Sequence, residues 1–280
     1  MALSINTNVG AMAALQTLNA TNRSLQTTQS RINTGLSVNS TKDDSAKYTI
    51  AQQLRGEVGG LASVTSSLNN AKSVSDVAVS GTEQISDILN KMKALVAQAQ
   101  DADTESVARI QKDFSAYQAQ IKNVITSSGF NGINLLAGSA AGGSSTSALI
   151  SLQGSDGDSK TWDFEKLSLD NVDLTTKLAT VVGSAELVSG SATMSDLEKA
   201  FGSVQDVLST LGANSRRIDD QLVFTSKLSD TITSGIGNLV DADLAKESAN
   251  LQALQVKQQL GVQALSIANQ APQTLLSLFR

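Results

Sequence analysis

The sequence predicts a mainly α protein: a long antiparallel helical bundle with paired N- and C-terminal helices and a small β-hairpin-containing central insert. Three observations carry this. Apolar residues recur in alternating steps of three and four along most of the chain, the spacing of helices that bury one stripe against other helices. The 280 residues include one proline, Pro272, and only 3% aromatics against 40% hydrophobic residues. The apolar content is therefore Ala, Leu, Val and Ile, suited to helix packing and interrupted by few loops. The pattern lapses only between about 129 and 193, a stretch that opens on turn formers and runs as Gly, Ala, Ser and Thr from Ala137 to Ser147.

The first seam is Ala11, Leu15, Leu18, Asn22, Leu25, Gln29, Ile32, Leu36. Two of its members are amides, and Arg23 and Arg31 are the only ionised side chains between Met1 and Leu36. A solvated coiled-coil face carries Lys and Glu, so this helix is expected to meet protein on several sides. Gly35 and the polar Ser37–Thr41 stretch end it. Asp43 and Asp44 then read as caps for a helix from Ser45 to about Glu57, not as paired catalytic carboxylates. Gly56, Gly59 and Gly60 predict a kink or joint. A second seam follows: Leu61, Val64, Leu68, Ala71, Ser75, Ala78, Thr82, Ile85, Leu89, Met92, Val96. Asp101–Thr104 breaks it, and Val107, Ile110, Phe114, Tyr117, Ile121, Val124 form a third.

In the insert, Asn131-Gly132 can supply the positive φ of a tight turn. Short β-like pieces are expected at Ala148–Gln153 and Thr161–Leu169, with Trp162 and Phe164 on one face. Asp156-Gly157-Asp158 lacks the further ligands of a calcium loop and reads as a turn. Ser195 and Glu198 then have the spacing of a capping box. They open the seam Leu197, Phe201, Val204, Leu208, Leu211, Ser215, Ile218, Leu222, Thr225, Ser229, Ile232, Ile236, Leu239, which Gly235 and Gly237 are expected to end. After Asp241 and Asp243 the last seam is Leu244, Glu247, Leu251, Leu254, Gln258, Gly261, Leu265, Ala268, Pro272, Leu275, Phe279. Beyond Glu247 its ionised residues are Lys257 and Arg280. The two charge-poor ends are thus expected to lie side by side.

Composition narrows function. The chain has no Cys and no His, which excludes thiol and imidazole catalysis and the usual zinc and iron–sulfur ligand sets. No phosphate loop or carboxylate cluster is present, and Asp219-Asp220 reads as a solvated pair, so neither an enzyme nor a cofactor is expected. A net charge of -5 disfavours nucleic acid. No run approaches the ~18 apolar residues of a membrane span. Met1 to Asn8 has neither a basic nor an apolar signal region, so any export is expected to use a dedicated route.

Several segments, in this order, resemble one family: Ser4-Ile5-Asn6-Thr7-Asn8; Arg31-Ile32-Asn33-Thr34-Gly35-Leu36 leading to Asp43-Asp44; Gly129-Phe130-Asn131-Gly132 with Leu135-Leu136; Leu211-Gly212-Ala213 followed by Arg216 and Arg217; and Ala268-Asn269-Gln270-Ala271-Pro272-Gln273 with Leu275, Leu276 and Leu278. Over nearly its whole length the chain is similar to bacterial flagellin, the filament subunit of the flagellum, in a compact form with little or no outer domain. The resemblance implies an inner filament layer from 1–44 and 241–280, a helical layer from 45–128 and 194–240, and an insert at 129–193 that includes a hairpin near 129–147.

The resemblance also implies assembly residues on the two end helices: Leu15, Leu18, Asn22, Leu25, Gln29, Ile32 and Leu36 on one, Leu251, Leu254, Gln258, Leu265, Ala268, Leu275 and Phe279 on the other. Export without a cleavable signal, a chaperone at the C-terminal segment, and filament cap and junction proteins are implied as partners. An innate-receptor segment at Asn90–Gln98 is implied as well. There Lys91 and Leu95 fit the family pattern, while Ala94 stands where an acidic residue is typical. A hook–filament junction protein of the same family and a soluble helical scaffold are the rival readings. The polar interruptions Asn22, Gln29, Gln258 and Gly261 predict ends that neighbouring subunits, more than the chain itself, bring to order.

Overall fold

A computed structural model describes residues 7–153, 163–183 and 191–278. In chain order the elements are α1 (Val9–Thr34), α2 (Ser45–Gln100), α3 (Thr104–Ser127), a 3-10 turn (Ser139–Ala141), β1 (Thr146–Gln153), β2 (Asp163–Leu169), α4 (Leu174–Lys177), α5 (Ala179–Val182), α6 (Ser191–Val240) and α7 (Leu244–Leu278). The predicted mainly α bundle, with paired terminal helices and a small central two-stranded sheet, is what the structure contains. The chain forms two compact units, Met1–Gly56 with Thr231–Arg280, and Glu57–Asp230.

The second unit holds the main core. All eleven predicted seam residues of α2, from Leu61 to Val96, are buried. Two of them are hydroxyl-bearing. Thr82 Oγ1 donates to Ala78 O at 2.7 Å, but Ser75 Oγ is fully buried and has no partner. Ser75→Ala is therefore expected to raise stability by about 1 kcal/mol, because it removes an unpaired buried hydroxyl. A denaturant midpoint that falls instead would mean the hydroxyl is satisfied. Helix α6 runs antiparallel to α2, since Lys72 meets Asp219 at 2.7 Å and Lys93 meets Glu198 at 3.9 Å. Asp219 is therefore one half of a surface ion pair rather than a solvated acid, and it raises the pKa of Lys72.

Helix α3 folds back along α2. Where its C-terminal end arrives, a Cβ on Gly81 would stand 2.2 Å from Ser128 Oγ, so only glycine permits this approach. Phe114, Ile121, Val124 and Ile125 of α3 complete the core with Leu197, Val204, Val207, Leu211 and Ile218 of α6.

The described part of the insert is more helical than predicted. Asn131 (φ 51°) and Gly132 (φ 79°) make the expected tight turn, closed by reciprocal Phe130–Ile133 hydrogen bonds of 2.9 and 3.0 Å. It closes a single bridge rather than a ladder; the ladder is β1 with β2, antiparallel, with a bulge between Leu149 and Ser151. Asn134 is the organiser. Its Nδ2 donates to Ile125 O at 2.8 Å and its Oδ1 accepts from Leu136 N and Ala137 N. Leu135, Leu136, Leu174 and Leu178 are thereby pinned inside the core. The short helices α4 and α5 correct the expectation of an insert free of helix. Trp162 and Asp156-Gly157-Asp158 lie outside the described residues.

Three predicted boundaries also differ. Helix α6 starts at Ser191, so Ser195 and Glu198 sit within it and cap nothing. It continues through Gly235 and Gly237 to Val240. Helix α2 continues through Gly56, Gly59 and Gly60. Each internal glycine costs about 1 kcal/mol of helix propensity, less than the flanking core burial returns.

Candidate assembly interface

In the first unit, α1 and α7 lie antiparallel. Their connections cross just beyond α1. Ser37 N donates to Val240 O at 2.7 Å, and Ala242 N donates to Gly35 O at 2.9 Å. Under this crossing Val38, Ala51 and Val240 form a small core with Leu36, Tyr48, Ile236 and Leu239. Asp44 caps α2, its Oδ1 accepting from Ala46 N and Lys47 N. Asp43 Oδ2 accepts from Asn39 N, Ser40 N and Ser40 Oγ, and these bonds, with a smaller contribution from Arg31, hold its pKa below the ordinary 3.8. A group with a depressed folded-state pKa stabilises fully above its unfolded pKa and loses that contribution as pH falls through the folded value. The Asn39 and Ser40 amide NMR signals should thus shift with a midpoint below 3.8, and Asp43→Asn should abolish the transition.

The α1–α7 seam is polar in part. Asn8 Nδ2 donates to Ala268 O at 2.7 Å, Gln258 Nε2 donates to Asn22 Oδ1 at 2.8 Å, and Arg31 Nη1 meets Glu247 Oε1 at 3.2 Å. Leu18, Asn22, Leu25, Ile32 and Leu36 are half-buried, as are Leu251, Leu254, Gln258, Leu265 and Ala268. Leu15 and Gln29 are exposed, which departs from the predicted seam; Ala14, Thr21 and the buried Thr28 take the inward positions. Leu275 lies on α7 and Phe279 outside the described residues. Sequence reasoning missed the Arg31–Glu247 pair, although Arg31 is one of only two charges on α1 and Glu247 the last acid of α7. On α2, Lys91 is exposed and Leu95 half-buried.

Each helix buries one stripe and leaves another uncovered. On α7, Ala253, Val256, Leu260, Ala264 and Ile267 recur at steps of three and four, and all are exposed, Leu260 at 57% and Ile267 at 69%. On α1, Val9, Met12 and Leu15 are exposed. Several exposed α1 hydroxyls are already spent on the helix itself: Thr17, Thr27 and Thr34 donate to the carbonyls of Ala13, Arg23 and Ser30. Covering those hydroxyls with protein therefore does not leave them unpaired. Full burial of Val256, Leu260 and Ile267 is worth roughly 1.5–3 kcal/mol each. Against an association cost of about 4–15 kcal/mol, one such contact is marginal, and repeated contacts with several neighbours are not.

No described helix is long and apolar enough to cross a membrane, and no three His, Cys, Asp or Glu side chains group as a metal site among the described residues.

Residues 5–141 match the bacterial flagellin N-terminal helical region, and residues 194–279 match the bacterial flagellin C-terminal helical region. Flagellin FljK of Caulobacter vibrioides is 43% identical over 280 residues, covering 99% of this chain and 98% of its own. A flagellin of Brucella melitensis is 35% identical over 283 residues, covering 99% of both chains. The crystal structure of Bacillus cereus flagellin aligns with 55% of this chain and 85% of its own, at 20% identity and a TM-score of 0.47.

Proposed function

The chain belongs to the bacterial flagellin family, and on that premise we propose that it polymerises through the uncovered faces of α1 and α7. It is a structural subunit of the extracellular flagellar filament, the propeller of swimming, and its first partner is another copy of itself. The observation that supports this route is the exposed Val256–Leu260–Ile267 stripe on a helix whose only charge between Ser248 and Gln270 is Lys257. Because one face of the subunit meets a different face of the next, repetition gives an open helical polymer rather than a closed ring.

In this reading residues 1–44 and 241–280 form an inner filament layer, 45–128 and 194–240 a helical layer, and 129–193 a short insert. The role is mechanical, without catalysis. The C-terminal segment is the docking site for an export chaperone, and filament cap and junction proteins are further partners. Lys91 and Leu95 are the candidate contacts for an innate receptor. Purified monomer added to short filament seeds should elongate them, visible by negative-stain microscopy. Failure to grow at any salt concentration overturns the reading.

A further inference from the structure

The links between α1 and α7 share one stagger. As positions rise through 8, 22 and 31 on α1, their partners fall through 268, 258 and 247 on α7. Between the first two links, a Cβ on Gly261 would stand 3.3 Å from Leu18 Cδ1. Leu18 therefore sits over the one seam position of α7 that carries no side chain.

The apolar pattern does not choose this stagger. The α7 seam repeats by heptads, so displacement by seven residues still sets leucine and alanine against leucine and alanine. The polar positions do choose. Displaced by one heptad one way, Asn22 would face Leu251 and Gln258 would face Leu15; displaced the other way, Asn22 would face Leu265 and lose its amide partner, while Gln258 would come opposite the exposed Gln29. Leu18 would then meet the side chain of Leu254 or Ala268 instead of a glycine. An unpaired half-buried amide and a more tightly packed leucine both oppose the slip, as a single seam asparagine does in coiled coils.

We propose that the Asn22–Gln258 amide pair is a register code that fixes the axial stagger of α1 against α7, the stagger that the Leu18–Gly261 contact marks. Its consequence rests on the filament reading: with the stagger fixed, every subunit presents Val9, Met12 and Leu15 in one alignment with the Val256–Leu260–Ile267 stripe. The register itself does not depend on that reading.

The absence of cysteine makes introduced thiols clean reporters. The Leu18→Cys/Gly261→Cys pair reads the observed stagger and Leu18→Cys/Ala268→Cys a one-heptad slip. Each pair is placed in the native sequence, in Asn22→Leu/Gln258→Leu, and in the conservative swap Asn22→Gln/Gln258→Asn. Filaments are grown from seeds, oxidised and dissolved, and intramolecular bonds are scored on non-reducing gels. In the native sequence the first pair should exceed the second by about tenfold, the factor that the low end of the cost of an unpaired amide corresponds to. The double-leucine background should bring the two to comparable yields, and the swap should restore the preference. Selectivity that survives in the double-leucine background, or is missing from the native sequence, overturns the register code. If the native chain does not elongate seeds, the filament reading fails instead, and the same oxidation on the soluble chain still reads the stagger.

Discussion

Leu260→Glu is expected to abolish filament growth while leaving the subunit's helical signal and unfolding midpoint unchanged. In the free chain Leu260 is 57% exposed, and leucine and glutamate have nearly equal helix propensity, so the substitution should change monomer stability by no more than about 0.5 kcal/mol. In a polymer the same position would be covered, and an unpaired buried carboxylate costs several kcal/mol. That penalty recurs at every subunit, so growth stops rather than slows. Leu260→Met conserves volume and apolarity and should elongate seeds at close to the native rate. The readout is filament length against time, with circular dichroism on the same samples. Native growth by Leu260→Glu would show that the α7 stripe faces solvent in the polymer.

The legibility of this chain follows side-chain type. The buried stripe of α2 reads out from Leu61 to Val96 because most of its members are apolar and recur at steps of three and four, and each of Leu61, Val64, Leu68, Ile85, Leu89 and Met92 is buried. The rotation of α1 is harder to read because Ala, Thr, Ser, Asn and Gln fill its surface. Among such residues period alone cannot separate Thr28, which is buried, from Gln29, which is exposed. The glycines of α2 and α6 signalled breaks that packing overrides. The four-residue helices α4 and α5 are too short to show a period. Their position comes from side chains distant in sequence: Asn171 Nδ2 donating to Asn134 O and Ala137 O, and Gln118 Nε2 donating to Val181 O.

The same contrast governs the interface. That the ends are charge-poor and paired was legible from Arg23, Arg31 and the alanine- and glutamine-rich last seam. That Asn22 and Gln258 satisfy one another was not, because neither helix alone reveals its register with the other. The sequence suggests that these amides wait for neighbouring subunits. The hydrogen bond between them instead assigns them to the subunit, and leaves the outer stripes as the surfaces without partners.

Deleting residues 1–36 should remove assembly entirely and should cost more helix than it deletes. Helix α1 supplies 26 residues, but it is also the described partner of the 35-residue α7, whose seam holds Gln258 and Gly261. An isolated helix with so few apolar contacts is marginal in water, so α7 should melt with α1 gone. The loss of far-UV signal should therefore approach that of both helices together. The Glu57–Asp230 unit has its own core, from Val64 through Phe114 and Leu136 to Ile218, and should still unfold cooperatively near the native midpoint. Seeds given this chain should not elongate, because both uncovered stripes are lost, one by deletion and one by melting. A loss of signal limited to α1 would mean that α7 is helical on its own. Growth of filaments would mean that the terminal pair is not the assembly surface.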